Sequence, residues 1–227
     1  MKGLIVKSTT WNGETCKIGM PDGGVGIAVN AMERDKYCFW SIGGYNLKEE
    51  RHWIWKGGEL HVGDKIEIEF AEFDEATPPV LKKPHSCPNP QKKDDSPENW
   101  QFKLKTYQKL KKSFGRRRVD IKTITMIGAE IIFNEKESVT IGTYNFAYIF
   151  ISCGSKTGDW MLAAGNNFKE RYTWIDQPLQ TGDKIKIRIV ETEQTSQPLI
   201  TQQSDRKKMK ARYEQLKDEL KEKGLIK

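Results

Sequence analysis

The chain has 227 residues, 37% of them apolar and 30% charged, and 38 Lys and Arg against 31 Asp and Glu give a net charge of +7. Its longest apolar runs span only a few residues, which excludes a membrane-crossing helix of about 20 apolar residues. The N-terminal run Leu4-Ile5-Val6 is too short for a secretion-signal core, so a cytoplasmic location is expected. Four scattered cysteines (Cys16, Cys38, Cys87, Cys153) and three histidines (His52, His61, His85) then predict free thiols and no metal centre. His85-Ser86-Cys87 brings two soft ligands together, but no second pair completes a tetrahedral set.

In chain order, short strands are expected at Gly3–Lys7, Val25–Asn30, Tyr37–Ile42 and Trp53–Trp55. Ile66, Ile68 and Phe70 then alternate with Lys65, Glu67 and Glu69, the period of a half-buried strand. Val80 to Pro90 reads as a loop, because its prolines forbid a central strand or a helix. Ser96-Pro97-Glu98 starts a helix with a hydroxyl cap, a proline at the first turn and an acid at the positive end of the dipole. Trp100, Leu104, Tyr107 and Phe114 continue it to about residue 114, and Gly115 stops it.

The second half repeats the plan. Strands are expected at Ile121–Ile127, Ser138–Ile141, Ala147–Ser152, Trp160–Ala163 and along Ile185, Ile187 and Ile189. A helix follows over about residues 205–223, with Met209, Tyr213, Leu216 and Leu220 in its apolar stripe.

The parallel extends to identity. Asn46 to Ile54 matches Asn167 to Ile175 at five of nine positions, and Gly63 to Pro79 matches Gly182 to Pro198 at seven of seventeen, with a two-residue gap placed in the intervening loop. The expected fold is therefore α+β and mainly β: a tandem duplication of a small antiparallel β-sandwich or barrel, each copy ending in one amphipathic helix. The copies would be domains 1–115 and 119–227, joined near Arg116–Arg118 and superimposable, with Trp53 matching Trp174 and Asp64 matching Asp183. Each helical stripe is expected to lie on its own sheet.

Catalytic motifs are few. Gly23-Gly24-Val25-Gly26 lacks the rest of a phosphate-binding loop and reads as turn glycines. Glu72 and Asp74, two apart at a strand end, form the one carboxylate pair on a single face, with Glu191 and Glu193 as a sparser counterpart; a solvated strand end is the simpler reading. No catalytic residue and no cofactor is assigned.

Charge is uneven. Residues 101–122 hold nine basic side chains and one acid, whereas residues 1–100 carry 13 basic and 16 acidic ones. Lys109, Lys111, Lys112, Arg116, Arg117 and Arg118 are the candidates for phosphate contacts, and nucleic-acid binding through this stripe is the alternative function. The seven tryptophans predict cores, or a surface that stacks on sugars or bases. A carboxylate-based enzyme is a third reading.

The run Leu60-His61-Val62-Gly63-Asp64-Lys65-Ile66-Glu67-Ile68, preceded by tryptophan and followed by acids and Pro78-Pro79, resembles small uncharacterised bacterial cytoplasmic proteins. Some of those resemble immunity proteins encoded beside polymorphic toxins. The resemblance implies a non-enzymatic protein-binding module of the immunity type, whose partner is a toxin acting in the cytoplasm. Glu67, Glu69, Glu72, Asp74, Lys186 and Arg188 are the expected partner-binding residues: the four acids form a patch able to mimic phosphates, and outward positions of the equivalent strands change sign between the copies, Glu67 against Lys186 and Glu69 against Arg188. They would face each other across a seam or meet separate patches of one partner.

Overall fold

The computed structural model describes residues 1–32, 37–84, 95–115, 125–136, 138–154, 158–167 and 169–227, with the backbone alone at 112, 113 and 115. The first half holds β1 (Lys2–Ser8), β2 (Thr15–Gly19), β3 (Gly23–Met32), β4 (Tyr37–Asn46), β5 (Arg51–Leu60), β6 (Lys65–Glu72), β7 (Leu81–Pro84) and α1 (Pro97–Gly115). The second holds β8 (Met126–Phe133), β9 (Ser138–Gly142), β10 (Phe146–Gly154), β11 (Trp160–Asn166), β12 (Glu170–Pro178), β13 (Lys184–Thr192), β14 (Ile200–Gln203) and α2 (Arg206–Glu222). The fold is mainly β, with antiparallel sheets and two helices. Among the described residues, every β-strand and α-helix of one half has a counterpart of the same kind, in the same order, in the other, while the 3-10 turn Thr9–Trp11 after β1 has none.

The strands form two sheets, ordered β2-β1-β6-β13-β8-β9 and β14-β12-β11-β10-β3-β4-β5-β7. Each order is unchanged when every strand is exchanged for its counterpart, so each sheet has its midpoint at a junction between halves. In the six-stranded sheet the junction is β6 against β13, with Ile68 opposite Ile185, Glu67 opposite Lys186 and Ile66 opposite Ile187. In the eight-stranded sheet it is β3 against β10, with Ala28 opposite Phe150.

This corrects the expected division into domains 1–115 and 119–227. All fourteen strands belong to one compact unit, Met1–His85 with Thr123–Gln202, and the helices belong to a second, Ser86–Lys122 with Gln203–Lys227. The physical reason is edge satisfaction. A seven-stranded half would leave β6 and β3 as open edges with unpaired backbone groups, and joining the halves pairs both. The expected connector at Arg116–Arg118 lies outside the described residues.

Alternation sets the core. Leu4 and Val6 of β1, Ile66, Ile68 and Phe70 of β6, and Ile185, Ile187 and Ile189 of β13 are buried, as are Val25, Ile27 and Val29 of β3 and Ile149 and Ile151 of β10. These residues make one continuous cluster shared by both sheets and both halves. Each such side chain contributes about 1.5–3 kcal/mol by leaving water.

The Gly-Asp turns are structural. Gly63 and Gly182 adopt φ of +99° and +96°, where a β-carbon is strained. Asp64 accepts a hydrogen bond from the His61 backbone N–H at 2.8 Å, and Asp183 accepts one from that of Gln180 at 2.7 Å. Each turn then bonds the other half: the Gly63 N–H reaches the Ile189 carbonyl, and the Gly182 N–H reaches that of Phe70.

The tryptophan correspondence also changes. Trp55 and Trp174 are both buried, and their indole N–H groups donate to the carbonyls of Thr77 and Ser196, each at 2.8 Å. Trp53 corresponds instead to Tyr172: each is half-buried, each packs its ring on the buried tryptophan, and each donates to a turn glutamate, Glu49 or Glu170. Asn46 and Asn167 accept the Glu49 and Glu170 backbone N–H groups in equivalent turns. The two extra residues of the first half therefore lie between Glu49 and Trp53, not in the loop before Gly63.

The remaining strands depart from expectation in detail. Gly23–Gly26 open β3 and form no turn. Leu81–Pro84 is the edge strand β7 on β5, a place where proline is tolerated. The strand expected at Ile121–Ile127 is β8, which starts at Met126; residues 121–124 lie outside the described set, as do His85 and Cys87.

Both helices begin as their caps require. The Ser96 hydroxyl accepts the Asn99 N–H at 3.3 Å, and Asp205 accepts that of Lys208 at 3.0 Å. Their apolar stripes meet each other, which corrects the expectation that each lies on its own sheet. Tyr107, Leu110, Leu216 and Leu220 are the centre of a separate core, flanked by Trp100, Leu104, Phe114, Met209 and Tyr213. The helices run antiparallel, with Tyr107 and Tyr213 stacked at 5.1 Å and Lys103 paired to Glu219 at 2.8 Å. The two stripes bury each other's centres and leave their flanking residues half-buried.

Candidate protein-binding face

The outer face of the six-stranded sheet holds most of the residues expected to bind a partner. Glu67 stands opposite Lys186, Glu69 opposite Lys184, and Glu72 opposite Lys2 of β1. Arg188 pairs with Glu130 of β8 at 2.7 Å, and Lys186 with Glu135 at 3.7 Å. Asp74 follows β6 and is exposed. The structure thus brings Glu67, Lys186 and Arg188 into one charged surface at the junction of the halves, where Glu67 faces Lys186 and Arg188 faces Lys65. Glu191 and Glu193 lie at and just beyond the end of β13.

The eight-stranded sheet presents a different outer face. Its four middle strands, β11, β10, β3 and β4, contain no charged residue at all, although 30% of the chain is charged. Their inward side chains must be apolar because they are buried. Nothing about burial requires the outward ones to be uncharged.

The register arranges those outward residues in rows. Phe39, Asn30 and Tyr148 form one row, Ser41, Ala28, Phe150 and Leu162 the next, and Gly43, Gly26, Ser152 and Trp160 a third. Tyr37, Phe150 and Trp160 are about 40% exposed (39%, 42% and 40%). Tyr37 stacks on Phe39 and Phe146 on Tyr148, each with ring centroids 5.5 Å apart. The strands that flank this centre are charged: Arg51, Lys56 and Glu59 on β5, Lys82 and Lys83 on β7, and Glu170, Arg171 and Asp176 on β12.

A groove of about 530 Å³ opens beside Phe150. Gly24, Gly26, Ala28 and Gly43 form its floor, and Tyr45, His52 and Phe150 its walls. The Tyr45 and His52 rings lie 5.0 Å apart. Small residues are required here for two reasons. A β-carbon on Gly44 would collide with the Gly24 carbonyl, so the strands can approach only without one. At Gly26 and Gly43 the nearest atoms to such a carbon are carbonyls at 3.3 Å, so these glycines hold the floor low.

Comparison with protein-family models, curated proteins and solved structures finds no match for this chain. Among the described residues no three His, Cys, Asp or Glu side chains gather where they could hold a metal ion, and no helix is long and apolar enough to cross a membrane. Cys16, Cys38 and Cys153 are buried. Burial, reinforced by the nearby Asp159 carboxylate, pushes the Cys153 thiol up to about 12, and burial also raises that of Cys16.

Of the basic candidates, Lys111 is exposed and Lys109 half-buried on α1. The Lys112 side chain and Arg116–Arg118 lie outside the described residues. Sequence reasoning did not find the uncharged face, yet its signal was present. Four strand segments of 10, 10, 9 and 7 residues carry no Asp, Glu, Lys or Arg in so charged a chain.

Proposed function

We propose that this chain is a non-enzymatic protein-binding module that engages its partner with the outer face of the eight-stranded sheet. The observation that carries this reading is the absence of charge across β11, β10, β3 and β4, inside a rim of charged strands. A charge-poor, aromatic centre within a polar rim is the anatomy of a protein interface. The composition fits as well: Tyr, Ser, Asn and Gly with a single Trp supply rigid contact area and adaptable hydrogen bonds. Four strands spaced about 4.8 Å apart and some 30 Å long offer on the order of 600 Å². That exceeds most apolar patches on monomers and approaches the roughly 800 Å² per partner of a stable complex.

The charged face of the six-stranded sheet is assigned a different task. Glu67 and Glu69 stand opposite Lys186 and Lys184 across the junction, and Arg188, which stands opposite Lys65, pairs instead with Glu130, so these charges are met within the chain. The motif likeness extends the proposal to an immunity-type inhibitor of a toxin.

Photo-crosslinking in the source cells tests the assignment. A photoreactive amino acid at Phe150 is expected to form a covalent adduct with one other protein, and the same residue placed at Glu67 is not. Equal adducts from both positions, or adducts only between copies of this chain, would overturn it.

A further inference from the structure

The antiparallel helices concentrate charge at one end of their pair. The C-terminal half of α1 supplies Lys109 and Lys111, and the N-terminal half of α2 supplies Arg206, Lys207, Lys208, Lys210 and Arg212. The second group is the part of the basic surface that the sequence stripe alone did not reveal.

The two ends differ in how their cations are used. At the far end Lys103 pairs with Glu219 and Lys223 with Asp95, each at 2.8 Å. Both lysines also lie over the Trp100 ring, at 4.3 and 5.2 Å. At the near end Arg206, Lys207 and Lys210 have no acidic partner among the described residues. These three and Lys111 surround a cleft of about 470 Å³, whose remaining lining is Phe114, Tyr213 and one acid, Glu214. Unpaired cations repel one another, and of these four only Lys111 has a ring contact among the described residues, with its Nζ 6.0 Å from the Tyr107 centroid at the outer limit of a cation–π interaction.

We infer that this end of the helical pair binds single-stranded nucleic acid. Phosphates would be met by Lys111, Arg206, Lys207 and Lys210, and a base would stack at Phe114 and Tyr213. Flexible cationic side chains follow a phosphate backbone, and the parts of the half-buried Phe114 and Tyr213 rings that line the cleft accept any base, so binding is sequence-tolerant. A duplex, whose bases are already stacked, has no use for the rings. The surface lies on the helices and is separate from the sheet face proposed to bind protein, so either assignment can fail alone.

The test uses the full chain and a fluorescent oligothymidylate of about 20 nucleotides, followed by anisotropy across a salt series. Binding is expected to weaken linearly on logarithmic axes, with a slope of about −0.7 for each phosphate engaged, and therefore about −2 to −3. Replacing Lys111, Lys207 and Lys210 together by Gln should cut affinity more than about tenfold in low salt and flatten the slope by about 2. These side chains are exposed, so the helical circular dichroism should be unchanged. Lys7, Lys17 and Lys48 replaced by Gln remove the same charge elsewhere and should leave affinity within about twofold. Equal losses in both triple variants, no binding in about 50 mM salt, or loss of anionic-vesicle binding with no oligonucleotide binding would each overturn the inference.

Discussion

Glu67 and Lys186 face each other directly across the antiparallel junction of β6 and β13. They occupy the same position in the two halves, counted from the Gly-Asp turns at Gly63 and Gly182. Each is therefore the residue that meets its own counterpart. Had the two positions kept one charge, like charges would stand opposite at the centre of the sheet. The change of sign at this pair removes that repulsion; the other altered pair, Glu69 and Arg188, does not follow the same logic, because Arg188 stands opposite Lys65.

A charge exchange checks the point. Glu67→Lys should lower stability by about 0.2–1 kcal/mol, the range for exposed cross-strand charge pairs. Adding Lys186→Glu should restore it. Urea midpoints of the four proteins in the cycle report the coupling, and a double variant as weak as the sum of the singles would show that the pair does not interact.

The buried tryptophans give a second expectation. Trp55→Phe removes the indole donor to the Thr77 carbonyl and leaves that acceptor unpaired, so a loss of about 1–3 kcal/mol is expected, as it is for Trp174→Phe. Trp53→Phe loses a bond to the exposed Glu49 and should cost less than either. Thermal unfolding of the three variants decides whether Trp55 or Trp53 is the true counterpart of Trp174.

Much of this fold is legible in the residues. Period-two alternation located β6 and β13, the Ser96 cap fixed where the first helix begins, and the stripe of Met209, Tyr213, Leu216 and Leu220 located the second. The strand orders are those expected of two equivalent halves. How the halves combine was not legible, because local patterning specifies a strand and its faces but not which open edge it meets. β6 carries the same alternation whether it ends a sheet or pairs with β13. Helix placement failed for a related reason: the stripe of Tyr107 and Leu110 is equally suited to a sheet and to the stripe of Tyr213 and Leu216. The misplaced tryptophan correspondence arose because Trp53 and Trp55 are two apart and only their burial separates them. The candidate face was missed because attention to motifs favours residues that are present, and its mark is the charge that is absent.

Thiol chemistry follows from burial. With Cys153 held near 12 and Cys16 raised, little thiolate exists near neutral pH. The native protein should leave at least three of its four thiols unreacted toward a thiol reagent, and denaturation without reductant should expose all four. Fewer than four after denaturation would mean that a disulfide is present.

Acid should loosen the helical pair. The bond from Lys103 holds the Glu219 carboxyl below its usual value. Its contribution is therefore complete above the unfolded-state value of about 4.5 and is lost as pH falls through the lower folded-state value. The stability difference between the parent and Lys103→Met should be largest near neutral pH and shrink toward about pH 3. A difference that stays constant over that range would show that Lys103 acts through packing alone.

The central claim places the partner on the uncharged sheet face. Its most direct test is the affinity for the protein crosslinked at Phe150, measured for Phe150→Glu and Arg188→Glu beside the parent. A charge buried in an interface centre without a counterion costs at least a few kcal/mol, so Phe150→Glu should weaken binding by about a hundredfold or more. Arg188→Glu should change it less than about twofold, because Arg188 lies on the other sheet and pairs with Glu130. The reverse order of effects would place the partner on the charged face and contradict the account.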